Sequence, residues 1–189
     1  GITAEHTTVI ATSSFREAKN RDPVLDRIFT STGFRVNVID GIEENRLTYI
    51  AVNECLKDAP LEKKEDTVIL EISGGSTEMM LIKKGKMAGA HSLKLGSARN
   101  KKMHISSRSF EDMNRYVSEF IQNTKGSLES ELNLSDVKHF IAVGSVLSVA
   151  ALRIGKPIST FLWQISRKDF EKFTDEIQKY SIDELMASF

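Results

Sequence analysis

Residues Glu71–Glu78 read EISGGSTE. An apolar run, Thr67–Leu70 (TVIL), precedes this octapeptide, and a second, Met79–Ile82 (MMLI), follows it. Short apolar runs rich in β-branched residues and bounded by glycine read as strands. The octapeptide is therefore a polar connection between two strands, and two chemistries suit it. In a plain hairpin, Gly74 and Gly75 supply positive φ. In a phosphate cradle, successive backbone N–H groups point into one concavity. Ser76 and Thr77 would then add hydroxyl donors, and Glu71 and Glu78 would flank the anion, placed to hold a divalent cation or a water. No GxxxxGK[ST] loop is present, which excludes a Walker-type nucleotide site.

Downstream, Glu78–Lys83 and Met87–Leu95 read as strands joined by KKGK, so three strands from Thr67 form an antiparallel meander. A helix is expected to carry Phe110, Met113, Val117, Phe120 and Ile121 on one face. Lys138–Val143 reads as a strand, Ser145–Arg153 as a helix and Ile158–Trp163 as a last strand. Ser166-x-x-Asp169 and Ser181-x-x-Glu184 each open a terminal helix. The order is β-β-β-α-β-α-β-α.

Upstream, Thr7–Thr12 reads as a strand and SSFREAKN as a helical turn. Asp22-Pro23 is expected to start a helix, with Asp22 as N-cap and Val24, Leu25, Ile28 and Phe29 at helical spacing; Gly33 ends it. Phe34–Ile39 reads as a strand. Asp40 with Glu43 forms an N-terminal capping pattern. Leu47, Ile50, Ala51 and Cys55 are expected to form the apolar stripe of the following helix, with Cys55 buried. Strand–helix–strand–helix matches the last four elements of the downstream order, and TTVIATSSFREA echoes KHFIAVGSVLSVA. A duplicated α/β unit whose first copy lacks its opening strands explains both; chance similarity of two strand–turn–helix units is the rival. The polar connector Pro60–Asp66 divides the chain into residues 1–62 and 63–189.

Composition narrows the function. The 189 residues are 40% hydrophobic and 28% charged, as in globular domains, and 26 Lys+Arg balance 26 Asp+Glu. A zero net charge provides no global field to attract nucleic acid or an anionic membrane. No apolar run approaches the roughly 18 residues that span a bilayer, and no signal peptide is visible. These features predict a cytoplasmic protein with neither nucleic-acid nor membrane partners. One cysteine excludes an internal disulfide and a cysteine-rich metal site. The four histidines lack metal-ligand spacing. Arg99–His104, RNKKMH, reads as a solvated basic loop.

Four motifs, ATSSFREAKNRD, VIDGIEENRLTYIAV, EISGGSTEMMLI and SLKLGSARN, occur in this order. Together the sequence resembles the exopolyphosphatase / guanosine pentaphosphate phosphohydrolase (Ppx/GppA) phosphatases. The resemblance covers nearly all of Thr7–Gly155. It implies an α/β fold of two ribonuclease H-like, actin-like ATPase lobes with the active site between them. Residues 1–62 would be a partial lobe I and residues 63–189 a complete lobe II. It implies hydrolysis of terminal phosphate from inorganic polyphosphate or guanosine pentaphosphate, with Mg²⁺ or another divalent cation. Glu44 falls at the position of the catalytic carboxylate that orients or deprotonates the attacking water. Ser73, Gly74, Gly75, Ser76 and Thr77 fall on the phosphate loop. Glu71 and Glu78 fall on acidic positions that contact the metal or water, and Ser13 and Arg16 on a motif facing the polyphosphate channel. Members often form homodimers. Glu43 is expected to serve only as a first-turn acid favouring the helix dipole.

The sequence departs from the family at instructive places. Glu71 replaces an Asp and Ser73 a Gly. Mg²⁺ demands near-octahedral geometry at about 2.0–2.1 Å, so a longer acidic arm is expected to shift it. Serine at a position of positive φ would strain the loop by roughly 1 kcal/mol or more. A Gly–Ser-rich lobe I hairpin and a C-terminal segment of the family are not found in these residues, so the chain is expected to be a fragment whose remaining N- and C-terminal segments complete the enzyme. The substitutions also keep a second class open, a degenerate module that binds polyphosphate or the alarmone without turnover.

Overall fold

The computed structural model describes residues 6–57, 65–98, 136–180 and six single positions (115, 118, 119, 122, 123 and 184). The helix expected around Phe110–Ile121, the basic run Arg99–His104 and the helix expected from Ser181 lie outside these residues or touch them only at those single positions.

The amino-terminal part begins with β1 (Val9–Ala11), α1 (Ser13–Glu17), α2 (Arg21–Thr32), β2 (Val36–Val38) and α3 (Gly41–Cys55). β1 and β2 pair in parallel, with Ile10 opposite Asn37. The expected helix start at Asp22-Pro23 is corrected. α2 begins at Arg21 behind Asn20, which makes no side-chain cap. Pro23 then sits within the first turn, where its missing N–H costs nothing because that group has no intrahelical partner. At the other end Gly33 closes α2 at φ 76°, as expected of a left-handed cap. Asp40 caps α3, its Oδ1 accepting from Glu43 N at 2.8 Å.

β3 (Thr67–Ile72), β4 (Thr77–Lys83), β5 (Lys86–Leu93) and β6 (His139–Val143) form one sheet in the order β5-β4-β3-β6. The first three are antiparallel and β6 is parallel to β3, as the meander and the β-β-β-α-β order predict. A 3-10 turn (Ser145–Leu147) leads into α4 (Ser148–Ile154). The strand expected at Ile158–Trp163 is corrected to two two-residue strands, β7 (Lys156–Pro157) and β8 (Trp163–Gln164), which among the described residues pair only with each other. Pro157 has no N–H to extend a ladder, and Ile158 N and Ser159 N both turn back to Leu162 O. α5 (Arg167–Ile177) follows, with Ser166 Oγ accepting from Asp169 N at 3.1 Å as the capping pattern predicts.

α3 lies on one face of the four-stranded sheet. Val52 packs with Ile69, Met80 and Ile82, and Tyr49, Leu56, Ile141 and Val143 complete the cluster. This corrects the predicted stripe. Ile50, Ala51 and Cys55 are exposed, and the residues of α3 that are buried are Glu44, Asn45 and Val52. The helix turns a polar edge inward because its partner face is itself polar beyond Ile69. Counting hydrophobes therefore selected the wrong side. The corrected orientation predicts that Val52→Ala lowers stability by about 1.5 kcal/mol or more, from lost methyl groups plus a cavity. Ile50→Ala should change it by less than about 0.5 kcal/mol. Urea denaturation of the two variants measures the contrast, and equal losses would refute the orientation.

Candidate functional site

The face of the sheet beneath α3 changes character along β3. Ile69 is core, but Glu71, two residues on and hence on the same face, is a carboxylate. Its cross-strand partner is Glu78, and the partner of Glu78 on β5 is Ser92. Directly opposed residues share a face, so two acids and a hydroxyl stand in a row below the amino-terminal half of α3. The helix answers them at i, i+3 and i+7 spacing. Asn45 Nδ2 donates to Glu78 Oε2 at 3.5 Å, Thr48 Oγ1 donates to Glu71 Oε2, and Val52 returns to the apolar cluster. Ser92 Oγ donates to Glu78 Oε1 at 2.8 Å. Glu78 is 1% exposed. The longer arm of Glu71 thus has a definite partner.

Glu44 projects from the first turn of α3 toward the same region and is 7% exposed. Burial is the larger influence on its carboxyl and pushes the pKa above the ordinary 4.5; Glu78 and Glu71 push the same way, while the Arg16 guanidinium pulls it down. Arg16 Nη1 donates to Glu44 Oε2 at 3.2 Å and to Ile39 O at 2.7 Å. So the arginine expected to grip phosphate braces the candidate base and ties α1 to the β2–α3 junction. Glu43, by contrast, pairs at the surface with Arg46, as expected of a first-turn acid.

The loop Ser73–Ser76 between β3 and β4 is closed by its own bonds. Ser73 N donates to Ser76 O at 3.0 Å, Ser73 Oγ to the same carbonyl at 2.9 Å, and Ser76 N to Ser73 Oγ at 3.2 Å. Neither Gly74 nor Gly75 has positive φ, and nor does Ser73. The expected hairpin role of the glycines and the expected strain at Ser73 are both corrected: the serine hydroxyl knits the loop instead. The glycines answer to space. A Cβ on Gly75 would lie 2.3 Å from Ser13 Oγ. A Cβ on Gly96, in the segment after β5, would lie 2.4 Å from Gly74 O. That segment clasps the loop through Ser97 N to Ser73 O and Ala98 N to Gly74 O, both 3.0 Å.

All ten candidate residues thus fall around one locus between α1, α3 and the sheet. They differ in what they offer. Ser13, Ser76 and Thr77 are buried, and Thr77 Oγ1 donates to Leu95 O at 2.6 Å. Three polar residues of the locus were absent from the sequence expectation: Asn45, Thr48 and Ser92. The signal for two of them was available, because 45, 48 and 52 share a helix face with Glu44. Among the described residues no three acids or histidines form a ready-made metal cage. Carboxylate, hydroxyl and amide oxygens are nevertheless the donors of hard cations, and Mg²⁺ is commonly held by one or two carboxylates plus waters and substrate phosphates. The donor set fits that mode.

The ion pair makes a prediction. Removing Arg16 takes away the influence that lowers the Glu44 pKa, so Arg16→Ala raises it further. If activity needs ionised Glu44, the acid limb of kcat against pH moves to higher pH in the variant. The sign for stability is also set. The folded chain holds this proton more tightly than the unfolded chain does. Glu44 therefore favours folding below about pH 4.5, and that contribution is lost as pH rises through the raised value. An unmoved acid limb would show that ionisation of an Arg16-braced Glu44 does not set it.

Comparison with known proteins identifies the fold and the family. Over 89 residues the chain is 38% identical to exopolyphosphatase 1 of Mycobacterium leprae, covering 47% of this chain and 25% of that protein. Over 92 residues it is 33% identical to a bifunctional 3-dehydroquinate synthase/phosphatase of Fusobacterium nucleatum, covering 47% of this chain and 13% of that protein. An exopolyphosphatase from Cytophaga hutchinsonii superposes with TM-score 0.69 at 20% identity over 90% of this chain and 56% of that one. The Aquifex aeolicus PPX-GPPA enzyme gives TM-score 0.64 at 22% identity over 96% and 60%. The chain spans about a quarter or less of those two curated relatives and little more than half of those structures. The mixed α/β architecture is that of these phosphatases. A model of the Ppx/GppA phosphatase family matches residues 1–185, nearly the whole chain, and this chain therefore belongs to the Ppx/GppA phosphatase family.

Proposed function

We propose that the protein of which this chain is part hydrolyses phosphoanhydride bonds, releasing terminal phosphate from inorganic polyphosphate, with guanosine pentaphosphate as the second candidate substrate. One observation carries the reading: a buried glutamate of raised pKa, Glu44, converges with Glu71 and Glu78 beside a glycine loop. A carboxylate whose pKa lies nearer neutrality is a better base at working pH. In this reading Glu44 takes the proton of the attacking water. Loop amides and hydroxyls from Ser73 to Thr77 stabilise charge on the transferred phosphoryl group. Glu71 and Glu78 would hold a divalent cation, which would supply charge neutralisation at the phosphate oxygens. Ser13 and Arg16 contribute from the opposite side, Arg16 through Glu44. A homodimer in the cytoplasm, completed by further segments of the same protein, remains part of the proposal.

The binding-module alternative has one observation in its favour. Ser13 Oγ stands against Gly75, and the loop hydroxyls of Ser73 and Thr77 are engaged within the fold. Their hydrogens are committed to Ser76 O and Leu95 O, which leaves fewer hydroxyl donors for charge developing on a transferred phosphoryl group. Phosphate release from long-chain polyphosphate and from guanosine pentaphosphate, measured on the full-length protein with Mg²⁺, separates the two. Turnover supports the hydrolase. Tight binding without release supports the module.

A further inference from the structure

Asn45 is 4% exposed, and its Oδ1 has no hydrogen-bond partner, the one such buried side-chain atom among the described residues. A buried acceptor left without a donor costs about 1–3 kcal/mol. Such an atom points to a group that belongs beside it. Its neighbour poses the same problem with a carboxyl group. Glu78 is 1% exposed and is met by two neutral donors, Asn45 Nδ2 at 3.5 Å and Ser92 Oγ at 2.8 Å. The first of these is at the outer limit of a hydrogen bond. No ion pair among the described residues includes Glu78. A buried carboxylate without a cationic partner is costly.

The orphaned amide oxygen and the unneutralised carboxylate lack the same thing, a positive centre that accepts oxygen ligands. Hard divalent cations bind carboxylate and amide oxygens together. Glu71, opposite Glu78 in the ladder, adds a second carboxylate to the locus. We infer that Asn45 is an oxygen donor, alongside Glu78, to the divalent cation of this site, either directly or through one of its bound waters. The inference rests on the metal-assisted reading above and assigns a role to a residue that the phosphate loop and the acidic pair do not include. It also gives a reason for an amide oxygen at a buried position above the two carboxylates.

The role separates from a merely structural one. If Asn45 only filled space, its replacement would leave cation binding unchanged. The test is a calorimetric Mg²⁺ titration of the full-length protein, with no phosphate present, comparing wild type, Asn45→Ala and Asn45→Asp. Asn45→Ala is expected to weaken Mg²⁺ binding by about 10-fold or more, the range seen when a supporting metal contact is lost. Its thermal midpoint without Mg²⁺ should stay close to that of wild type, since loss of the orphaned oxygen offsets loss of the long Nδ2 contact to Glu78. Asn45→Asp retains an oxygen and should bind at least as tightly as wild type. At saturating Mg²⁺, Asn45→Ala should recover most of its phosphate release. If the alanine variant does not fold, Asn45→Ser, whose hydroxyl is too short to reach, replaces it. Equal Mg²⁺ affinity in wild type and Asn45→Ala overturns this inference and leaves the hydrolase reading standing. A wild type that neither binds Mg²⁺ nor releases phosphate overturns both.

Discussion

Glu44→Gln should lower kcat for phosphate release by about 10²–10⁴-fold, the usual contribution of a positioned general base, with little change in KM. The substitution is nearly isosteric. A glutamine oxygen can still accept from Arg16 Nη1, which now lies 3.2 Å from Glu44 Oε2. The brace across α1, Ile39 and α3 therefore survives. The amide removes a charge that burial opposes, so thermal stability should hold or rise while turnover disappears. That combination distinguishes lost chemistry from lost folding. A variant that keeps wild-type turnover on polyphosphate would remove Glu44 from the base role and with it the mechanism proposed above.

Gly75→Ala should lower stability by about 1–3 kcal/mol, the common cost of forcing a methyl group into a packed site. The new carbon would meet Ser13 Oγ at 2.3 Å and Ser13 Cβ at 3.2 Å. The first contact is impossible, and the second is tight but tolerable after a small shift. Ser13→Ala removes the first and leaves the second. The double variant should therefore regain most of the loss, and a double-mutant cycle in urea should show coupling well above the scatter expected of independent sites. The same cycle probes function. If Ser13 helps to hold phosphate beside the loop, Ser13→Ala alone should bind polyphosphate more weakly. Additive effects of the two changes would mean that α1 does not sit against the loop.

Much of this was legible from the residues. Capping by Asp40 and Ser166, the end of α2 at Gly33 and the meander joined by EISGGSTE and KKGK depend on contacts a few positions apart, which a local pattern specifies. Two features at the site were not. The first is the inward face of α3. Its polar positions 44, 45 and 48 are buried because Glu44 is held by Arg16 and the other two meet Glu78 and Glu71, and a hydrophobe count assigns such positions to solvent. The second is the residue facing Glu78 from β5. The KKGK turn pairs Lys83 with Lys86 and Ile82 with Met87, and counting onward from there puts His91 opposite Glu78. A bulge at Ala88 shifts the register by one, so Ser92 takes that place and His91 goes to the other face.

The motifs in the chain thus fixed the kind of protein, the loop and the acids, because each is written in neighbouring residues whose backbone preferences and capping bonds are short-range. Which groups those acids meet was settled only by the packing of α1, α3 and the sheet. Arg16 turned to Glu44 rather than outward, Ser13 was set against Gly75, and Asn45 was buried with an unanswered oxygen. Each of these depends on contacts between residues 28 to 62 positions apart, and no local propensity encodes which side chains such contacts bring together.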